Sequence, residues 1–168
     1  MTIIVAVSNG ITTTMGCDSS SYSPESIQSY QGSKLISTGQ WVIGYTGSGW
    51  GTGQLAAMAT MPKSGTELAL RRAFVPSMKK LLDKFGGSHQ STAQFLIGGY
   101  GKLYEVDSED WGIVDLTESA IGGAYQYSLG SLHSTRHLQS QKKRVQLALD
   151  AAIECSPAAL GPTKIITI

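Results

Sequence analysis

The stretch that decides the fold is Ile3-Ile4-Val5-Ala6-Val7-Ser8-Asn9-Gly10-Ile11-Thr12-Thr13-Thr14-Met15-Gly16-Cys17-Asp18. Two runs rich in β-branched residues flank Asn9-Gly10, a dipeptide that suits a tight hairpin turn because both positions tolerate positive φ. The stretch therefore predicts two antiparallel strands, Ile3–Ser8 and a second run that starts at Ile11. Such a hairpin returns Asp18 to the neighbourhood of Thr2.

Thr2 becomes the first residue of the chain if Met1 is removed, and it then carries a free α-amino group beside its hydroxyl. The amine can take the hydroxyl proton, so one residue supplies both nucleophile and base. An α-amino group has a pKa of roughly 7.7–8.0, which suits proton transfer near neutral pH. Thr2 is therefore a candidate catalytic nucleophile.

A carboxylate, a lysine and a glycine-rich strand follow Thr2 along the chain. Asp18 ends the opening stretch, Lys34 stands in Gly32-Ser33-Lys34-Leu35-Ile36, and Gly44 belongs to Trp41-Val42-Ile43-Gly44-Tyr45-Thr46-Gly47-Ser48-Gly49. Each residue taken alone has an ordinary interpretation. Thr2 could be a strand residue, Asp18 a turn residue, Lys34 a surface lysine and Gly44 a bulge glycine.

The joint spacing of Thr2, Asp18 and Lys34 resembles that of the proteasome family of N-terminal nucleophile (Ntn) hydrolases, in particular its β-type and HslV-like members. The likeness continues through Phe95–Gly99, Ala120–Gly123 and the closing strand. In that family Thr2 would be the nucleophile, and Lys34 would lower the pKa of its hydroxyl. Asp18 would hold Lys34 in place, and the Gly44 amide would receive the oxyanion.

The order of predicted elements indicates an α+β protein, because strands come first and pairs of helices then alternate with further strands. The resemblance implies the four-layer αββα sandwich of the Ntn hydrolase fold, two antiparallel sheets flanked by helices, in a single domain over residues 1–168. The predicted elements after the hairpin are strands 34–38 and 41–46, helix 54–61 before Pro62, a helix from Ser64 or Thr66 to Phe85 that Pro76 kinks or splits, strands 95–100, 102–106 and 111–116, helices 125–134 and 139–155, and strand 164–168. We also expect Leu147, Ala148, Ala151 and Ala152 to share one face of the last helix.

The resemblance implies a threonine endopeptidase that is one subunit of a self-compartmentalised, homo-oligomeric ring. Family members stack two rings, giving twelve or fourteen subunits around a chamber for unfolded polypeptide. The resemblance also suggests an ATP-dependent unfoldase as partner and a cytoplasmic location. Two alternatives stay open, a weakly active or inactive proteasome-like cage and a small-molecule Ntn amidase.

Some positions that support the threonine amine in the family are not matched. Relatives carry a serine in a Gly-Ser-Gly segment, where this chain has Gly122-Gly123-Ala124-Tyr125, and Tyr125 and Ser128 bring the nearest hydroxyls. The region 155–161 lacks the aspartate of proteasomal subunits, and Ser156 is its nearest polar substitute. The nucleophile, lysine and aspartate are thus present without their usual support.

Composition excludes several other classes of function. The net charge of +1 with no basic cluster gives no footprint for nucleic acid, and no apolar run approaches the ~20 residues that a membrane span needs. Cys17 and Cys155 are far apart, and His133 and His137 lack a third ligand nearby, so no metal site is predicted from side chains. The proposed chemistry requires no cofactor. A cation held by main-chain oxygens near residues 152–158 stays an open alternative.

Overall fold

The computed structural model describes residues 2–23, 26–29, 33–47, 50–85 and 93–168. Met1 and the expected helix stop at Gly86-Gly87 lie outside the described residues, as does His89. Within the described residues the elements in chain order are β1 Ile3–Ser8, β2 Thr13–Cys17, β3 Ser20–Ser23, β4 Ser26–Ser29, β5 Leu35–Thr38, β6 Trp41–Thr46, α1 Trp50–Met58, α2 Glu67–Phe85, β7 Gln94–Gly99, β8 Lys102–Asp107, β9 Ile113–Leu116, β10 Glu118–Gly122, α3 Tyr125–Ser134, α4 Gln141–Cys155 and β11 Lys164–Thr167.

The opening hairpin is confirmed, but its turn is longer than the sequence predicts. Strands β1 and β2 pair with Ser8 opposite Thr13, so four residues form the connection. The side chain of Asn9 accepts hydrogen bonds from the amides of Ile11 (3.0 Å) and Thr12 (2.9 Å), an Asx-type turn that replaces the tight two-residue turn. The predicted start of β2 at Ile11 is therefore wrong, and Ile11 is exposed at the turn.

Two antiparallel sheets form the centre of the molecule. One has the strand order β10-β1-β2-β11, and the other has the order β5-β6-β7-β8-β9. Strands β3 and β4 form a separate two-stranded ribbon. Strand β10, which the sequence reading did not predict as a strand, pairs with β1 so that Gly122 lies opposite Ile3.

Side chains that alternate along β1 fill two different hydrophobic layers. Ile3, Val5 and Val7 pack with buried residues of α3 and α4, whereas Ile4 and Ala6 pack between the two sheets. This follows from strand geometry, because successive side chains point to opposite faces of a sheet. A strand with both faces covered is apolar throughout, as the run Ile3–Val7 is.

The second sheet is covered in the same manner. Ile43 of β6 and Ile97 of β7 pack against buried residues of α1 and α2, and their neighbours Val42 and Leu96 pack between the sheets. Helix pairs thus flank two stacked sheets, and the predicted αββα sandwich is confirmed.

Several helix details correct the predictions. Helix α1 begins at Trp50 and ends at Met58, earlier at both ends than expected. Helix α2 runs through Pro76 as one element, so the split alternative is wrong, and Thr66 caps it by accepting from the amide of Ala69 at 3.2 Å. The buried face of α4 consists of Val145, Ala148, Leu149 and Ala152. Leu147 was expected on that face but is exposed.

Candidate active site

Asp18 is bound to the residue that follows Thr2. The Asp18 amide donates to the carbonyl of Ile3 at 3.3 Å, and the Ile3 amide donates to Asp18 Oδ1 at 3.0 Å. This reciprocal contact arises because Asp18 comes directly after β2, whose last residue Cys17 pairs with Ile4 of β1. The hairpin register therefore carries the carboxylate to the start of β1.

Lys34 reaches the same carboxylate from the other sheet. It directly precedes β5, and its Nζ donates to Asp18 Oδ1 at 2.6 Å. Both side chains are withdrawn from water, with exposures of 6% for Lys34 and 0% for Asp18. Burial lowers the pKa of Lys34, and this effect exceeds the opposing attraction of Asp18. The Lys34 ammonium therefore releases its proton more readily than an ordinary lysine.

Thr2 is held by its main chain against the end of β10. Its carbonyl accepts from the amide of Gly123 at 2.9 Å. Gly122 has a φ of 109°, and the Thr2 carbonyl occupies the space that a Cβ at Gly122 would need. The glycine pair allows this close approach, since any side chain at Gly122 would displace Thr2.

The structure thus brings Thr2, Asp18 and Lys34 together where β1 begins. The Asp18 carboxylate links the Lys34 ammonium to the amide next to Thr2 through a single oxygen. A buried ammonium requires such a partner, because an unpaired charge in the interior is strongly unfavourable.

Gly44, the expected oxyanion donor, is an interior residue of its sheet. It pairs with Leu35 on one side and with Leu96 on the other. A strand with neighbours on both sides directs its amides toward them, and the oxyanion role of Gly44 stays a prediction. A Cβ at Gly44 would also meet Ile4 and Met15 between the sheets. Close sheet packing is the physical reason for this glycine.

Ser20 is a site residue that the sequence reading missed. Its hydroxyl donates a short hydrogen bond to Asp18 Oδ2 and accepts from Lys34 Nζ at 3.4 Å. The Ser20 amide also donates to Asp18 Oδ2 at 3.0 Å. The available signal was the spacing Asp18-Ser19-Ser20, since an aspartate commonly binds the backbone amide two residues later.

The loop after α4 closes over the Asp18 carboxylate. The Leu160 amide donates to Asp18 Oδ2 at 3.4 Å, and the Ser20 hydroxyl lies 3.1 Å from the carbonyl of Ala158. The Ser19 amide donates to the carbonyl of Leu160 at 2.9 Å. The Leu160 carbonyl is thus engaged by the donors of Ser19, and we assign no cation to this loop.

The hydroxyls nearest to the unmatched family positions point elsewhere. The Ser128 hydroxyl is buried and donates to the carbonyl of Ala148 at 2.8 Å, which ties α3 to α4. Ser156 Oγ accepts from the amide of Ala158 at 3.1 Å within its own turn. Tyr125 is exposed. These contacts explain the Ser128 and Ser156 hydroxyls structurally.

The described parts of the chain give little support to a thiolate nucleophile or to a metal site formed by side chains. Burial raises the pKa of the Cys17 thiol, which disfavours a thiolate nucleophile. Residues 2–23, 26–29, 33–47, 50–85 and 93–168 contain no group of three His, Cys, Asp or Glu side chains that could hold a metal ion. Nor does any helix within these ranges have the length and apolarity needed to cross a bilayer.

Two stacked antiparallel sheets between helix pairs are the arrangement of the proteasome-type Ntn hydrolase fold. Among solved structures, the chain is similar to Thiobacillus denitrificans BPH in complex with epoxomicin, with a TM-score of 0.82 and 14% identity over 100% of this chain and 98% of that chain. It is similar to eukaryotic HslV from Trypanosoma brucei, with a TM-score of 0.74 and 15% identity over 98% of each chain.

A third similar structure is the Anbu (Gly-1) mutant from Hyphomicrobium sp. strain MC1, with a TM-score of 0.70 and 14% identity over 100% of this chain and 81% of that chain. No protein-family model matches the chain, and no curated protein sequence matches it. The structural similarity establishes the fold, while the activity has to be argued from the residues.

Proposed function

We propose that this protein is a threonine-type endopeptidase whose nucleophile is Thr2, exposed by removal of Met1. The observation that carries the proposal is the Asp18 carboxylate, which accepts at one oxygen from the buried Lys34 ammonium and from the amide beside Thr2. An ion pair withdrawn from water costs desolvation energy. Because the pair lies at the first residues of β1, beside Thr2, we infer that it serves the reaction of Thr2.

In the proposed reaction the Thr2 hydroxyl attacks a peptide carbonyl, and its proton passes to the Thr2 amine. The Lys34 ammonium lowers the pKa of the hydroxyl and stabilises the developing alkoxide. Asp18 keeps Lys34 charged and oriented. The leaving amine takes the proton, and water then hydrolyses the ester to regenerate Thr2.

The oxyanion requires a backbone amide outside the sheet ladder, and we assign this role to Gly47 in place of Gly44. Strand β6 ends at Thr46, so Gly47 is the first residue beyond the ladder, with a φ of 148°. Leu35 lies opposite Gly44, and the residues after Gly44 therefore run past Lys34. Loss of one oxyanion donor in other enzymes costs roughly 100- to 1000-fold in rate.

The assembly we propose is a homo-oligomeric, proteasome-like double ring of twelve or fourteen subunits in the cytoplasm. Support comes from the fold shared with eukaryotic HslV and with Anbu. A ring that encloses Thr2 would restrict hydrolysis to unfolded polypeptide. An ATP-dependent unfoldase is the corresponding partner.

Native and intact mass spectrometry with epoxomicin tests the proposal, since the similar Thiobacillus denitrificans BPH was solved in complex with this compound. We expect a ring-sized assembly, subunits that lack Met1, and an adduct at Thr2 that Thr2→Ala abolishes. Ser128 and Ser156 are engaged in structural contacts, and this observation favours the inactive cage as the second candidate. A ring that retains Met1 and forms no adduct would establish the cage, and a labelled monomer would point to the amidase.

A further inference from the structure

We propose that Ser20 is a positioning residue that sets the direction of the Lys34 ammonium. We also propose that it couples the loop after α4, residues 156–161, to the reaction centre. The inference rests on the proposed function, because Lys34 requires a fixed direction only if Thr2 reacts. It concerns a hydroxyl that contacts both members of the ion pair.

The hydroxyl of Ser20 is buried and lies among three polar partners. Asp18 Oδ2 is the nearest, Ala158 O lies at 3.1 Å and Lys34 Nζ at 3.4 Å. A serine hydroxyl has one proton to donate and two lone pairs to accept with. The shortest contact assigns that proton to the Asp18 carboxylate, since hydrogen bonds to a charged acceptor are shorter and stronger. Ser20 can then accept from Lys34.

This arrangement determines the orientation of the ammonium. Lys34 Nζ has three tetrahedral donors, and Asp18 Oδ1 and Ser20 Oγ take two of them. With two N–H directions defined, the third is defined as well. Ser20 therefore gives the ammonium a second fixed direction, in addition to the one that Asp18 supplies.

The same hydroxyl connects the pair to the loop after α4. Ala158 and Leu160 approach Ser20 and Asp18 respectively, and both loop residues contact the Asp18-Ser19-Ser20 segment. A displacement of this loop therefore changes the partners of Ser20 and Asp18 together. The Ser20 hydroxyl thus lies between this loop and the lysine.

The test compares Ser20→Ala with Ser19→Ala, because Ser19 is a matched control. Ser19 is also buried, and its hydroxyl donates to the same loop at Leu160 O (3.3 Å), a partner outside the ion pair. We expect Ser20→Ala to slow epoxomicin labelling and kcat by about tenfold, the scale of a lost hydrogen bond to a charged group, with KM unchanged. Ser19→Ala should stay near the wild-type rate.

The pH profile separates positioning from general destabilisation. The titratable groups that face Lys34 are Asp18 and the Cys17 thiol, and both are unchanged in Ser20→Ala. Loss of an acceptor disfavours the ammonium, so the alkaline limb should move to lower pH in Ser20→Ala. Ser20→Thr, which keeps the hydroxyl, should restore the profile. Equal profiles for Ser20→Ala, Ser19→Ala and wild type would overturn the inference.

A second measurement keeps the inference testable if peptide hydrolysis is absent. NMR titration of the Lys34 side chain should show a lower pKa in Ser20→Ala than in wild type and no change in Ser19→Ala. If wild type is neither labelled nor active, the proposed function fails, and this titration alone decides whether Ser20 controls Lys34. If Ser20→Ala does not fold, Ser20→Cys preserves the volume with a weaker hydrogen-bonding group, and an unshifted Lys34 titration there overturns the inference.

Discussion

The carbonyl of Thr2 occupies the position that a side chain on Gly122 would need. Gly122 also has a φ of 109°, and the adjacent Gly123 amide binds the same carbonyl at 2.9 Å. The end of β10 therefore determines where the first strand, and with it the candidate nucleophile, begins. This contact joins residues that are distant in sequence.

Substitution of Gly122 by alanine should displace Thr2 and abolish epoxomicin labelling while leaving a folded protein. The left-handed backbone alone costs a residue with a side chain about 1–2 kcal/mol, and the blocked contact adds to this. Gly10→Ala is the control, because Gly10 has a φ of 86° but open space around it. The two variants are compared by thermal unfolding and by the rate of epoxomicin labelling. Full labelling of Gly122→Ala would contradict the positioning role.

Removal of Lys34 should destabilise the protein more than removal of a surface lysine or arginine. Lys34→Ala leaves the buried Asp18 carboxylate without its cation, which in other proteins costs about 3–5 kcal/mol. Arg71→Ala breaks an exposed pair with Glu67 and should cost less than about 1 kcal/mol. Urea unfolding compares the two. Equal losses would show that the buried pair contributes no more than the exposed one.

The rate of threonine labelling should follow a bell-shaped pH profile. The acid limb reflects protonation of the Thr2 amine, whose ordinary pKa is roughly 7.7–8.0. The alkaline limb reflects loss of the Lys34 proton. Since burial lowers the pKa of Lys34, this limb should fall below the ~10.4 of an exposed lysine. Labelling rates measured from acid to alkaline pH test this, and an alkaline limb at or above the ordinary lysine value would contradict it.

The lowered pKa of Lys34 also determines how the free energy of unfolding changes with pH. Between the folded pKa of Lys34 and the ordinary lysine value, the unfolded chain binds more protons, so the contribution of this residue to stability increases with pH. Below the folded pKa both states are protonated, so this pH-dependent gain is absent there. Lys34→Met should remove this rise from a plot of unfolding free energy against alkaline pH.

Alanine at Gly44 should act on the fold before it acts on catalysis. An added Cβ would meet Ile4 and Met15 between the sheets, and overpacking of this kind typically costs about 1–3 kcal/mol. Gly130→Ala is the matched control, because Gly130 lies in α3 with open space around it and should gain about 0.5–1 kcal/mol. The free energies of unfolding of Gly44→Ala and Gly130→Ala test this prediction. A stable Gly44→Ala variant with a greatly reduced kcat would instead return the oxyanion role to Gly44.

Glu118 should contribute to resistance against acid. Burial by itself raises the pKa of Glu118, but hydrogen bonds from Arg136 and Arg144 outweigh it and hold the pKa below its usual range. Its stabilising contribution is therefore complete above about pH 4.3, the ordinary glutamate value, and is lost as the pH falls through the lower folded value. Acid unfolding of Glu118→Gln should show a weaker pH dependence in this range, and an unchanged dependence would contradict the assignment.

The sequence by itself predicted most of the strands and helices and the candidate site residues, while the four-layer arrangement was implied only by the resemblance. The structure then showed why the run Ile3–Val7 is apolar throughout, because alternate side chains of β1 enter different layers. The spacing of Thr2, Asp18 and Lys34 predicted a candidate nucleophile with a charged pair, and the hairpin carries Asp18 back to β1 by local geometry.

Only the tertiary structure decided which further groups complete the site. Gly44 lies between β5 and β7, a relation between strands that local sequence does not contain. Ser20 belongs to the site because the 156–161 loop and Lys34 arrive from distant parts of the chain. Hydroxyls and glycines occur in most loops, so their roles depend on long-range packing. Buried strands, in contrast, can be predicted from the periodicity of their apolar residues.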